Sequence, residues 1–417
     1  MMGIKMDYTQ EQLAAIRKIQ AWLRDYRSGK SDQQVYRVYG YAGTGKTSVA
    51  KEAVNVRGFR PIFCAYTGKA AMVLKTKGCP NTSTIHRSIY LPRSEAAAEY
   101  RELLNKLEAE TDPDKIRKIQ SHVDELKKGL DSPSWVRIPK SEFDIDTLFV
   151  VDEVSMVDKY IGGDLESYEF PILVLGDPAQ LPPIKGSGYF IEAAPDVMLT
   201  EIMRQGAQSP VLQIATAIRE GKTIPLRQFA DSKCVVKVDP KDYLLSDQNL
   251  VATNKSRLAL NTAIRRARGY SGTLCIGEKL IGLQNNYDVG VMNGSQWEVT
   301  SEPELKITDK GHKYMVCDLK SLDFENVNLR RAQLHLNPLL EGTDDFNKNW
   351  TPMLTNNSNG LSMTYGYAIT VHKSQGSQWD NVLIYDDYWT TTDYKEWLYT
   401  AVTRAAKTVT IVRPQQK

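Results

Sequence analysis

Residues 35–53 read VYRVYGYAGTGKTSVAKEA. A β-branched and aromatic run leads into glycines, and the glycines lead into a helix-forming stretch. Gly40-Tyr41-Ala42-Gly43-Thr44-Gly45-Lys46-Thr47 fits G-x-x-x-x-G-K-[ST]. In such a loop, glycines let successive backbone amides turn toward a β-phosphate. The lysine reaches the β and γ oxygens, and the hydroxyl after it suits Mg²⁺. The order strand, loop, helix is the context this chemistry needs. Gly43, Thr44, Gly45, Lys46 and Thr47 are therefore candidate ATP contacts, with Thr47 also a metal ligand.

Further runs of the same kind flank the loop: PIFCAYT (61–67), TLFVVDE (147–153) and PILVLGD (171–177). Near-continuous apolar strands separated by helical segments indicate a parallel sheet covered on both faces. NLVATN (249–254), NVLIYDD (381–387) and TVTIVR (408–413) predict a second α/β unit of similar build. Before them all, TQEQLAAIRKIQAWLRDY opens a helix with Thr9 as its N-cap. Between residues 91 and 140, Ala97, Tyr100, Leu104 and Leu107 form one helical stripe. Ile116, Ile119, Val123, Leu126 and Leu130 form another, and TDPD separates the two. This predicts an antiparallel helical hairpin. Residues 274–361 hold EKLIGLQ, SQWEVTSE and HKYMVCDL among Gly and Asn turns, which predicts a small all-β barrel.

The bulk numbers allow two to four domains in 417 residues. Hydrophobic content is 41% and charged content 25%, enough to bury real cores. A net charge of +3 excludes a global polycation, so any nucleic-acid binding must come from a local groove. The five cysteines (64, 79, 234, 275 and 317) form no C-x-x-C pair, and their spacing suits neither a disulfide framework nor a zinc site. MMGIKMDYTQEQ lacks the apolar core of a secretory signal, and no window approaches ~18 apolar residues. The expectation is a cytoplasmic protein with no membrane partner.

A phosphate loop needs a second carboxylate for Mg²⁺ and a base to orient water. Asp152 and Glu153, ending the TLFVVDE run, fit those roles in that order. The next strand ends in GDPAQLPPI, where Gln180 is placed to sense the γ-phosphate. Asp-Glu followed by Gly-Asp-x-x-Gln separates RecA-like motors from nucleotide kinases and GTPases. Arg204 in LTEIMRQ and Arg404 in LYTAVTRAAK are candidates to neutralise charge on the transferred phosphoryl group. A small-molecule kinase leaves Arg404 and TVHKSQG without a role.

Taken in order, these segments resemble superfamily 1 helicases, and within them the RecD-like, Dda-type group of compact 5′→3′ DNA helicases. YTQEQ looks like the group's Q-motif, GYAGTGKT its motif I, VVDEVSM motif II, GDPAQLPPI motif III and LTEIMRQ motif IV. GYAITVHKSQGSQWDNVLIY is similar to motif V and LYTAVTRA to motif VI. The resemblance implies that Gln12 contacts adenine and that Gly376 lies toward the γ-phosphate. It also implies single-strand contacts at Thr67 and Lys69, Thr84 and His86, Thr253 and Asn254, and Thr370, His372 and Lys373.

The fold so implied is two RecA-like domains. The first spans 1–90 and 141–205, with the helical insertion at 91–140. The second spans 206–273 and 362–417, with an SH3-like β insertion at 274–361. The sequence departs from the group between residues 90 and 140, where the helical hairpin stands in place of a short β-hairpin pin; Trp135 is a candidate wedge or core residue there. The implied function is ATP- and Mg²⁺-dependent unwinding of duplex DNA from single-stranded and fork DNA, in replication, recombination or repair, and the Dda-type resemblance implies a phage-encoded protein. Two alternatives are a single-strand translocase that displaces bound proteins, and a nucleotide-gated scaffold whose hairpin docks a replication or recombination protein.

Overall fold

The computed structural model describes residues 8–129, 135–182, 188–202, 209–286, 289–309, 311–323, 327–340, 360–388 and 392–414. By internal contacts the chain divides into two units. One comprises residues 1–66, 71–178 and 182–201, the other residues 67–70, 179–181 and 202–417.

The first unit opens with helix α1 (Gln10–Arg27). Its strands are β1 (Val35–Gly40), β2 (Arg60–Ala65), β3 (Ser83–Thr84), β4 (Tyr90–Pro92), β5 (Trp135–Arg137), β6 (Thr147–Asp152), β7 (Ile172–Gly176) and β8 (Val197–Leu199). Its further helices are α2 (Lys46–Ala53), α3 (Gly68–Thr76), α4 (Ile85–Ile89), α5 (Arg93–Ala109), α6 (Pro113–Gly129) and α7 (Lys159–Glu166). The first residues of α3 group with the second unit. Six strands form one sheet in the order β3-β2-β6-β7-β1-β8, and every pairing is parallel. Every residue of β6 and β7 is buried, as a sheet covered on both faces requires. Phe149, Val151, Ile172, Val174 and Tyr39 belong to its core.

Helices α5 and α6 rise from the small antiparallel ladder of β4 and β5. Asp112 accepts from the Asp114 amide at 2.9 Å, and Pro113 takes the first helical position. The packing between the helices is slight. Ala96, Leu126 and Val136 are its buried centre, with Leu91, Tyr100 and Leu103 half-buried around them. The Trp135 side chain lies outside the described residues.

The second unit contains α8 (Pro210–Arg219), α9 (Pro240–Leu245), α10 (Asn254–Ala267), α11 (Leu336–Leu340), α12 (Val371–Ser374) and α13 (Tyr394–Val402). Six of its strands form a second sheet: β9 (Arg227–Phe229), β10 (Ser232–Val235), β11 (Gln248–Val251), β18 (Ala368–Thr370), β19 (Trp379–Tyr385) and β20 (Ala405–Val412). Their order is β18-β11-β19-β20-β10-β9, parallel except for the β9–β10 hairpin.

A third sheet is antiparallel throughout. It contains β12 (Lys279–Gly282), β13 (Gln296–Val299), β14 (Glu304–Ile307), β15 (Lys313–Ser321), β16 (Asn328–His335) and β17 (Met363–Tyr365). The order is β14-β15-β13-β12-β17, with β16 also on β15. Leu280, Trp297, Val299, Leu319, Leu334 and Met363 pack its core. Strand β17 falls beyond residue 361 yet pairs with β12, so this sheet closes on a later segment than its β-rich composition marks.

Candidate active site and nucleic-acid contacts

The phosphate loop follows β1 and ends at α2. Gly43 and Gly45 stand at φ of +81° and +79°, the left-handed region where a Cβ is costly. Lys46 begins α2. Its ammonium donates to the carbonyls of Gly40 (2.7 Å) and Tyr41 (3.2 Å), so it sits within the loop whose phosphate it would serve.

The Thr47 hydroxyl donates to Asp152 Oδ2 at 2.9 Å. Asp152 ends β6 and is buried, and its other oxygen accepts from the Glu153 amide at 2.8 Å. A hydroxyl and a carboxylate are hard oxygen donors of the kind a magnesium ion takes. Glu153 holds φ of +55°, sparsely populated for a residue with a Cβ and characteristic of side chains aimed by their surroundings.

Gln12 is buried with both ends of its amide in use. Its Oε1 accepts from the Thr9 amide at 3.0 Å, and the Thr9 hydroxyl accepts from the Gln12 amide, which closes a capping box on α1. Its Nε2 donates to the Thr44 carbonyl at 2.9 Å. Gln12 thus ties the start of α1 to the phosphate loop. Neighbouring Glu11, which sequence reasoning passed over, accepts from the Thr200 amide and hydroxyl and from the Glu201 amide, fixing the beginning of LTEIMRQ. Arg204, in the same stretch, lies outside the described residues.

In the second unit, Gln180 is buried and its Oε1 has no hydrogen-bond partner among the described residues. Leu181, next to it, is clamped from two sides. Its amide donates to Thr400 Oγ1 at 2.9 Å, and its carbonyl accepts from Gln375 Nε2 at 3.0 Å. Gln375 and Thr400 are positions that sequence reasoning missed, although both lie inside stretches singled out for other residues. Arg404 is also buried. Its Nε donates to the Thr400 carbonyl, Nη1 to the Ser377 carbonyl and Nη2 to the Thr403 hydroxyl, so acting on a phosphoryl group means exchanging some of these bonds. Gly376 has φ of +72°, and a Cβ there would stand 2.8 Å from Ala70 Cβ and 3.1 Å from Thr67 Oγ1.

The proposed strand-contacting threonines share one local role. Thr67 accepts from the Ala70 amide, Thr84 from Arg87, Thr253 from Ser256 and Thr370 from Lys373. Thr84, Thr253 and Thr370 are the N-caps of α4, α10 and α12. Each threonine follows or ends a parallel strand, at the carboxyl edge of its sheet, where α/β proteins place their ligand sites.

Asn254 accepts from Arg257 Nε at 3.0 Å. His86 packs against the rings of Tyr66 and Tyr90. Burial pushes its imidazole below the ordinary histidine value, with Asp158 opposing. His372 is lowered in the same way, with Asp393 opposing. Lys373 donates to Asn293 Oδ1 at 2.9 Å, and burial, aided by Arg257, lowers its ammonium to about 8. Lys69 pairs with Asp323 at 2.8 Å, both buried, and lies over the Trp379 ring. A lysine so paired offers its charge to a phosphate only by leaving Asp323.

A glycine loop on the carboxyl end of a parallel strand, with a hydroxyl–carboxylate pair beside it, defines a P-loop nucleotide-binding protein. The AAA domain family matches residues 8–239, and the UvrD-like helicase C-terminal domain matches residues 365–412. The chain belongs to the AAA domain family, and its C-terminal part is similar to the UvrD-like helicase C-terminal domain. It is 26% identical over 381 residues to the ATP-dependent RecD2 DNA helicase of Deinococcus radiodurans; the aligned part covers 88% of this chain and 45% of that protein, so the chain spans less than half of that relative.

Among solved structures, the Pif1 helicase of Candida albicans superposes with a TM-score of 0.53 at 15% identity, covering 98% of this chain and 95% of that one. Bacteroides Pif1 bound to single-stranded DNA gives 0.50 at 16% identity, over 97% and 92%. At such identities the likeness is one of fold.

Proposed function

We propose that this chain is an ATP-dependent DNA helicase that moves 5′→3′ along single-stranded DNA and opens duplexes ahead of it. One observation carries the reading. The same turn, threonine cap, histidine and cation, ends the edge strand of both parallel sheets: Thr84-Ile85-His86-Arg87-Ser88 after β3 and Thr370-Val371-His372-Lys373-Ser374 after β18. A nucleotide enzyme acting on a small molecule has no use for two such turns. A motor that grips a repeating phosphate backbone with each of two units does.

Within this reading, Lys46 and the loop amides bind the phosphates, and Thr47 and Asp152 hold magnesium. That ion, when bound, neutralises charge on the phosphate oxygens. Glu153 orients and deprotonates the attacking water. Gln180, with its unmatched oxygen, follows the γ-phosphate, and Arg404 and Arg204 meet the developing negative charge. Gln12 positions the loop and borders the base. Thr67, Lys69, Thr253 and Asn254 extend the DNA track. The antiparallel sheet of residues 279–365 is the SH3-like insertion of this group, and the α5–α6 hairpin takes the place of its pin. The name of the Deinococcus relative, a DNA helicase, supports the same assignment.

The test is unwinding of duplexes that carry a single tail. The reading expects ATP-dependent opening of the 5′-tailed duplex and none of the 3′-tailed one. The reverse pattern removes the direction, and failure to open either removes the helicase assignment.

A further inference from the structure

At the base of the helical hairpin, three side chains from three elements converge. His122 of α6 lies between Glu99 of α5 and Glu142 of the short turn Lys140–Glu142. Its Nδ1 stands 3.1 Å from Glu142 Oε1 and its Nε2 stands 3.3 Å from Glu99 Oε1. The imidazole is more than nine-tenths buried, and its Nε2 makes no hydrogen bond among the described residues. The carboxylates are half open to solvent, at 34% and 50% exposure.

A neutral imidazole has one N–H and one lone pair. With the proton on Nδ1 serving Glu142, the Nε2 lone pair faces a carboxylate oxygen, and the two repel. A cation between them removes the conflict. One nitrogen with carboxylate oxygens is a donor set for zinc or manganese rather than for magnesium. A histidine whose second nitrogen donates to a carboxylate is also the usual arrangement behind a metal-bound imidazole.

The location gives such an ion a purpose. Among the described residues the hairpin's buried apolar side chains are few, Ala96, Val123, Leu126 and Val136, and small cores of this kind commonly take a metal or a disulfide as a staple. We propose that Glu99 and His122 Nε2 bind a divalent transition-metal ion, with Glu142 holding the ring through Nδ1–H and water completing the shell. The ion fixes α5 to α6 at their base. This site is separate from the nucleotide carboxylates and stands whatever the chain does to DNA.

Titration of the full chain with Zn²⁺, without nucleotide and with excess Mg²⁺, tests it by calorimetry and by thermal unfolding. Expected are one site per chain and a raised unfolding midpoint, both lost in Glu99→Gln and His122→Ala. Binding should weaken roughly 10- to 100-fold in Glu142→Gln. Glu99 is partly exposed, so Glu99→Gln serves where His122→Ala fails to fold. Co²⁺ should give a spectrum without thiolate charge transfer. Unchanged binding in Glu99→Gln, a thiolate band, or no binding to the wild-type chain overturns the proposal.

Discussion

The two parallel sheets match strand for strand at one side and part company at the other. Counting from the edge, β3 and β18 carry the turns TIHRS and TVHKS, and β2 and β11 are followed by the capping threonines Thr67 and Thr253. In fifth place the match ends. β1 leads into a glycine loop with left-handed Gly43 and Gly45, whereas β10 leads to Asp239 and the short helix α9. The shared half is chemistry suited to a repeating polyanion, and the unshared half is chemistry suited to a triphosphate. Under the proposed function, the chain would double its grip on DNA around the glycine loop of its first sheet.

The largest test of that asymmetry is Lys46→Ala. Loss of the positioned ammonium should cut hydrolysis by roughly 100- to 1000-fold or more, while DNA binding without nucleotide stays near wild type. Glu153→Gln should retain nucleotide binding, measured with a fluorescent analogue, and lose turnover on a similar scale. Normal turnover in that variant would remove Glu153 as the base.

Next comes Gln12→Ala, which strips partners from the Thr9 amide and the Thr44 carbonyl, at about 1–3 kcal/mol for a buried polar group left unpaired. The midpoint of thermal unfolding should fall, and the nucleotide KM should rise more than kcat falls. At the matching place in the second sheet, β10 leads to Asp239 and α9 rather than to a glycine loop, so this effect belongs to the first sheet.

The shared half is tested by paired lesions. Thr84→Val and Thr370→Val each remove a cap, at about 1 kcal/mol. Each should weaken single-strand affinity by a similar factor in fluorescence anisotropy. A loss confined to one of them breaks the equivalence of the two turns.

The finest difference is Arg87 against Lys373, the cations at matching places in the two turns. An arginine stays charged throughout the working range. Lys373, lowered to about 8, is charged below that pH and neutral above it. DNA affinity should therefore decline as pH rises through about 8, with the midpoint drawn upward by the bound phosphates. Lys373→Arg should flatten this decline, and an unchanged profile would exclude Lys373 from the DNA contact.

Much of this was legible in the sequence because it rests on local constraints. Two left-handed glycines before a lysine have few other uses, and the fully buried runs of β6 and β7 can only be central strands. The helices of the hairpin followed from their stripes: Ala97, Tyr100, Leu104, Leu107, Ile116 and Ile119 prove half-buried, Val123 and Leu126 buried, and Leu130 lies outside the described residues.

What stayed hidden depends on residues distant in sequence. Nothing near Lys69 marks Asp323 as its partner, nor Thr44 as the partner of Gln12. The closing strand β17 is three residues long and shows no alternation to find. The threonines were read for their contacts with DNA, while their capping of α4, α10 and α12 shows only when the strand ends are in place.

The central claim, that one hydrolytic site serves a doubled grip on DNA, is met most directly by ATP hydrolysis with and without single-stranded DNA. The account predicts stimulation of roughly tenfold or more by the strand, lost in Lys46→Ala and reduced in both Thr84→Val and Thr370→Val. A rate indifferent to DNA in the wild-type chain would contradict it.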